Sequence, residues 1–199
     1  MKNKIKKIFC AAICTAMLFV SVIPVNGLEI GENDIYISDF EEAENSLGDI
    51  NADGKITPED ARICLRAAAT LDKLTDEQKE AADVFGTGDV NASCARKILR
   101  VAAKLENMNI VVKLNIGQKL IVGPVRAQGI YYWQVKTDSN DLIMQKTVEN
   151  NFPPDYIGPY DVYYTMYSDI TAVYNVNFVL SVPWTGEILR SHNIIVVVK

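Results

Sequence analysis

The run Gly48-Asp49-Ile50-Asn51-Ala52-Asp53-Gly54-Lys55-Ile56-Thr57-Pro58-Glu59-Asp60 constrains this chain more than any other stretch. Within twelve residues it sets acid or amide side chains at positions 1, 3, 5 and 12 and a glycine at position 6. Residues at alternate positions can turn their oxygens to one side, position 7 offers a backbone carbonyl, and a carboxylate at position 12 closes the shell from the first turn of a helix. A hard divalent cation takes about six to eight such oxygens. The expected ligands of a calcium ion are therefore Asp49, Asn51, Asp53, the backbone carbonyl of Lys55, and Asp60.

The loop and the helix after it occur twice. The stretch Asp60-Ala61-Arg62-Ile63-Cys64-Leu65-Arg66-Ala67-Ala68-Ala69 aligns with Cys94-Ala95-Arg96-Lys97-Ile98-Leu99-Arg100-Val101-Ala102-Ala103 at an offset of 34 residues. Helical periodicity puts Ala61, Leu65 and Ala68 on one face and Ala95, Leu99 and Ala102 on its twin, so these stripes are expected to pack together. Thr75 and Gln78 form a capping box for a short helix between them. The second loop has lost its ligands: counting from Asp83, position 3 is Phe85, position 5 is Thr87 and position 12 is Cys94. A single carboxylate is too few where about three or four oxygen-bearing side chains are needed, so one calcium site is expected, in repeat 1, with weak binding in repeat 2 through carbonyls and water as the other reading.

Paired loop-helix units closed by Asp60 and repeated after 34 residues resemble the dockerin module of cellulosome-type assemblies, over residues 47 to 106. The resemblance implies a non-catalytic adhesion module that binds a cohesin on a scaffold protein and so recruits whatever it is joined to. In that family loop positions 10 and 11 help choose the partner, which carries over to Pro58 and Glu59 in repeat 1 and to Ala92 and Ser93 in repeat 2. Arg62 and Arg66, repeated as Arg96 and Arg100, are either a cohesin-contacting face or ordinary solvated helix charges. Cys94 stands where the second loop lacks its ligand and Cys64 lies on the other helix. A disulfide between them suits an exported protein, and two buried thiols are the other reading.

The amino terminus points to export. Lys2, Lys4, Lys6 and Lys7 precede an apolar run from Ile8 to Ile23, which reads as a signal peptide over residues 1–27, with a retained anchor as the runner-up. Its removal takes the formal charge from -5 to -9. So acidic a protein is not expected to bind nucleic acid, or a membrane after cleavage. The expected location is outside the cell, on a surface scaffold. Residues 28–46 carry seven acids and no basic residue and are expected to be an extended, solvated lead segment.

From residue 109 to 199 the pattern changes to short Val, Ile, Tyr and Phe runs broken by Gly, Pro, Asn and Asp, with seven strands expected. The fold class expected is α + β in separate domains: a small all-α dockerin followed by an antiparallel, immunoglobulin-like β-sandwich. No catalytic set stands out, since His192 is the one histidine and the acids show no paired spacing. The protein is thus expected not to be an enzyme. The segment Val182-Pro183-Trp184, with Gly129 to Trp133 and Tyr156 to Asp161 upstream, resembles the chagasin family of cysteine-peptidase inhibitors. That resemblance implies three loops at one end of a sandwich, wedging into the cleft of a papain-like peptidase: Arg126, Ala127, Gln128 and Gly129; Tyr156, Gly158 and Tyr160; Pro183 and Trp184. Only Pro183-Trp184 matches the family signature outright. Abundant tyrosine leaves carbohydrate binding open, or a structural role, for a dockerin-borne sandwich within a polysaccharide-degrading complex.

Overall fold

The computed structural model describes residues 31, 33–38, 40, 47–126, 132–149 and 161–199. The expected signal peptide and most of the lead segment lie outside the described residues. Among the described residues, helices α1 (Pro58–Ala68) and α3 (Ala92–Ala102) form where the repeat placed them, with α2 (Asp76–Ala82) between them. Thr75 caps α2 through the expected box with Gln78. Both long helices end alike, on a non-glycine residue in the left-handed region, Thr70 (φ 60°) and Lys104 (φ 57°). Thr70 N–H donates to Ala67 O and Lys104 N–H to Val101 O, so the internal repeat extends to the last turn.

Among the described residues eight strands follow or flank the helices: β1 (Ile35–Ile37), β2 (Asn109–Leu114), β3 (Leu120–Arg126), β4 (Tyr132–Thr137), β5 (Ile143–Glu149), β6 (Asp161–Tyr167), β7 (Val173–Ser181) and β8 (Ile188–Val198). They make two four-stranded sheets, in the orders β1-β3-β6-β5 and β2-β8-β7-β4. The core between them is built from both, with Val122, Tyr164 and Met166 of the first sheet in one apolar cluster with Ile110, Phe178, Ile194 and Val196 of the second. The expectation of antiparallel sheets is corrected at the edges, where β1 runs parallel to β3 and β2 parallel to β8.

Two further expectations are corrected. The lead segment is not simply solvated: Ile35–Ile37 adds an edge strand, Asp34 Oδ1 accepts from Lys119 N–H at 3.2 Å, and Phe40 packs against Trp133 and Phe178. Three apolar residues among the acids supply the burial that the net charge conceals. The helical unit therefore sits in sequence between strand β1 and the remaining seven strands. Nor is that unit separate from the sheets. Leu47, Ile50, Ala61, Cys64, Val84, Cys94 and Ile98 share one buried cluster with Met108, just before β2, and with Val111, Ile195 and Val197, outward-facing residues of β2 and β8. The helix stripes also differ from expectation: Leu65 and Leu99 are about half exposed, while Ala61, Cys64, Ala95 and Ile98 are buried. The small residues let α1 and α3 approach closely, and the cluster beneath them takes the neighbouring face.

Candidate functional site

In the first loop the backbone draws the acid side chains inward. Asp49 accepts from Asp53 N–H through Oδ1 (3.1 Å) and from Gly54 N–H through Oδ2 (2.8 Å). Asn51 Oδ1 accepts from the same Asp53 N–H at 3.0 Å, and Asn51 Nδ2 donates to Asp53 Oδ2 at 3.1 Å. Gly54, at φ +84°, makes the bend that a β-carbon would strain. Asp60 is fully buried at the base of the loop. Its Oδ1 accepts from the N–H groups of Ile50 (2.9 Å) and Asn51 (3.1 Å), and its Oδ2 from the N–H and hydroxyl of Thr57 (2.8 and 2.9 Å). One carboxylate thus ties the start of the loop to the first turn of α1.

Among the described residues no three His, Cys, Asp or Glu side chains stand together as a metal cluster. The loop's donors still suit a hard cation. The oxygens of Asp49 and Asn51 meet at one amide, Asp53 adjoins them, and every donor is oxygen.

The second loop keeps this backbone without the ligands. Asp83 accepts from Thr87 N–H (3.0 Å) and Gly88 N–H (2.9 Å), the same two bonds that Asp49 makes 34 residues earlier. Phe85 packs against the shared apolar cluster, Thr87 is exposed, and the Cys94 thiol faces Asp89 O at 3.6 Å. Asn91 replaces the Thr57–Asp60 pair as the cap of α3, accepting from Ser93 and Cys94 N–H. Cys64 and Cys94, the expected disulfide partners, are both free and fully buried, acting as small hydrophobes at the helix contact. Burial, helped by the neighbouring Cys94, pushes the Cys64 thiol up to about 12. Burial raises that of Cys94 as well.

On the outer surface of the helices the repeat is again visible. Arg66 pairs with Asp72 at 2.5 Å and Arg100 with Glu106 at 2.5 Å, a further match at the same offset. The guanidinium groups hold the carboxyls of Asp72 and Glu106 below their ordinary values. Arg62 pairs with Glu59 at 2.5 Å, whereas Arg96 has no counterpart acid at that spacing, because Ser93 stands there. Pro58, Glu59, Ala92, Ser93 and Arg96 are all exposed. Around them lie exposed leucines in matched pairs, Leu65 with Leu99 and Leu71 with Leu105. Helical spacing puts Leu65 and Leu99 on the stripes expected to pack together, yet both are exposed, and the offset of 34 relates Leu71 to Leu105 in the same way.

A second surface lies at one end of the sheets. Arg126 at the end of β3 faces Asp161 at the start of β6, which also faces Glu149 at the end of β5. In the other sheet Tyr132 at the start of β4 faces Ser181 at the end of β7, itself paired with Ile188 of β8. Five residues join Arg126 to Tyr132, too few to cross between the sheets and also run the length of a seven-residue strand, so both sets of ends lie at the same end of the molecule. A shallow cavity lined by Pro124, Val125, Trp133 and Arg190 marks that junction. The strand ends bracketing residues 127–131, 150–160 and 182–187 therefore converge. Ala127, Gln128, Gly129, Tyr156, Gly158 and Tyr160 lie outside the described residues. Pro183 and Trp184 are on the surface, Trp184 being 65% exposed. Trp133 instead packs on Phe40 beside the core, and Tyr163, Tyr164 and Tyr174 are buried. Among the described residues these three tyrosine rings are thus inside the protein and not on a sugar-facing surface.

Residues 47–96 match the family model of the dockerin type I domain. That segment is similar to the dockerin, a non-catalytic kind of module. The chain is further similar in structure to the cysteine protease inhibitor EhICP2 from Entamoeba histolytica, at 17% identity and a TM-score of 0.38, covering 45% of this chain and 86% of that one. It is similar also to Amebosin, at 14% identity and a TM-score of 0.39, covering 46% and 90%. PbICP-C, whose structure was solved in complex with falcipain-2, gives 14% identity and a TM-score of 0.34, covering 46% and 88%. No curated protein matches the chain. Among the described residues no helix is long and apolar enough to cross a membrane.

Proposed function

We propose that this is an exported, non-catalytic protein whose dockerin, loaded with one calcium ion, binds a cohesin and so presents a β-sandwich that blocks papain-like cysteine peptidases. The observation that carries the reading is that the strand ends bracketing residues 127–131, 150–160 and 182–187 converge at one end of the sheets, with Trp184 exposed after the end of β7. An exposed tryptophan beside a proline on a rigid sheet end is a low-entropy anchor for a cleft.

Calcium would be held by Asp49, Asn51, Asp53, the Lys55 carbonyl and Asp60. When bound it supplies charge neutralisation of the loop, and the chain does the rest. Asp60 fixes the loop to α1, and α1 and α3 carry the exposed pairs Leu65 and Leu99, with Arg62 and Arg96, toward a partner. A partner that covers the leucines removes apolar surface from water. Pro58 and Glu59 differ from Ala92 and Ser93, so the two repeats present different chemistry to that partner.

The test is sequential capture. A cohesin module is immobilised, the chain is bound in calcium, and an active-site-blocked papain-like peptidase is passed over it. The expected result is a ternary complex that EDTA releases as a whole. Cohesin capture that persists in EDTA would overturn the calcium part, and failure of every peptidase to bind would overturn the inhibitor part.

A further inference from the structure

We infer that the dockerin and the β2–β8 strands fold as one cooperative unit, through which filling of the first loop is felt at the strands that lead to the three-loop end. The inference rests on the calcium reading of that loop. Contacts from both loops carry it. Gly48, the residue before Asp49, lies so near Met108 that a β-carbon there would collide with the Met108 methyl, and Met108 leads straight into β2. Ile50 has its N–H held by Asp60 and its side chain in the cluster with Met108, Val111, Ile195 and Val197. The loop's anchor is thus also a core residue of the interface.

The second loop touches the same sheet with its backbone. A β-carbon on Gly86 would stand 2.7 Å from Val111 Cγ1 and 2.9 Å from Val197 Cγ2, so the chain lies directly on β2 and β8. Asn109 Nδ2 donates to Val84 O at 2.9 Å, and Asn193 Nδ2 donates to Asn109 Oδ1 at 3.2 Å, a polar bridge from the second loop across both strands. Toward the three-loop end, Asn107 Nδ2 donates to Ser191 O at 2.9 Å. This also accounts for the lost ligands of repeat 2. Val84 and Phe85 rest their apolar surface in the cluster shared with the sheet, which steadies that loop where an ion would otherwise do so.

Coupled opening has a measurable size. If β2 and β8 open only when the first loop does, a ligand at about a hundred times its dissociation constant raises their protection about a hundredfold. The experiment follows amide hydrogen exchange of residues 28–199 with and without calcium, beside calorimetric titration of the same sample. Binding with a rise in β2 and β8 comparable to that in residues 47–70 is expected. Binding with the rise confined to the dockerin overturns the inference and leaves the calcium reading standing. No binding overturns the calcium reading alone, and the coupling is then decided by Gly86→Ala and the milder Val197→Ala. Each is expected to lower protection in both units by the same factor. Loss confined to the unit that carries the substitution overturns the inference.

Discussion

Phe40 lies parallel to His192, ring centroids 4.4 Å apart and planes 8° from one another. The pair joins the segment before the dockerin to the last strand of the sheet after it. Phe40 also touches Trp133 and Phe178, so it closes the core close to the end where β3, β4 and β7 meet. Truncating a well-packed phenylalanine costs about 3–5 kcal/mol, and Phe40, being partly buried, is expected to lie near ~2 kcal/mol. For a chain of this size that lowers Tm by about 4–8 °C in a thermal melt of Phe40→Ala. A fragment beginning at residue 107 loses both Phe40 and the dockerin's cover of β2 and β8, and is expected to unfold at markedly lower denaturant concentration.

The two loops make opposite predictions for matched substitutions. Asp53→Ala removes a proposed calcium ligand and is expected to abolish binding in calorimetry. Asp83→Ala should leave a stoichiometry of one unchanged while costing about 1 kcal/mol, since the amides of Thr87 and Gly88 lose their acceptor. A wild-type stoichiometry of two would contradict this assignment.

The buried thiols give a pH signature. The Cys64 thiol is raised in the folded protein above its ordinary value to about 12 by burial and by Cys94. Its protonated form is favoured by folding, so the stability it contributes is intact below the unfolded value, near 9, and is lost as pH rises through the folded value. Chemical denaturation is expected to show falling stability between about pH 9 and 12, with a shallower fall in Cys64→Ala. Near neutral pH an alkylating probe should label both cysteines in urea and neither in the native protein.

Much of the architecture is legible in the residues. All seven strands expected after residue 108 form, because each is a short β-branched or aromatic run bounded by turn residues. The loop-helix repeat is legible for a similar reason: glycine, acid and cap recur at fixed spacing. Strand β1 is not, since three residues among seven acids give no periodic signal. The docking of helices on sheet does leave a trace. Ile194-Ile195-Val196-Val197-Val198 and Ile110-Val111-Val112 do not alternate with polar residues, the mark of strands covered on both faces. Leu65 and Leu99 mislead for the opposite reason: they continue an apolar stripe by spacing, yet the small residues Ala61 and Ala95 bring the helices together and leave the leucines outside.

Trp184 tests the account most directly. Its side chain is exposed, so Trp184→Ala is expected to change stability by no more than about 0.5 kcal/mol. The measurement is the inhibition constant of residues 28–199 against a panel of papain-like peptidases, for the wild type and for Trp184→Ala. The account predicts reversible, active-site-competitive inhibition by the wild type, weakened tenfold or more by the substitution. No inhibition of any panel member, or equal inhibition by both proteins, would contradict it.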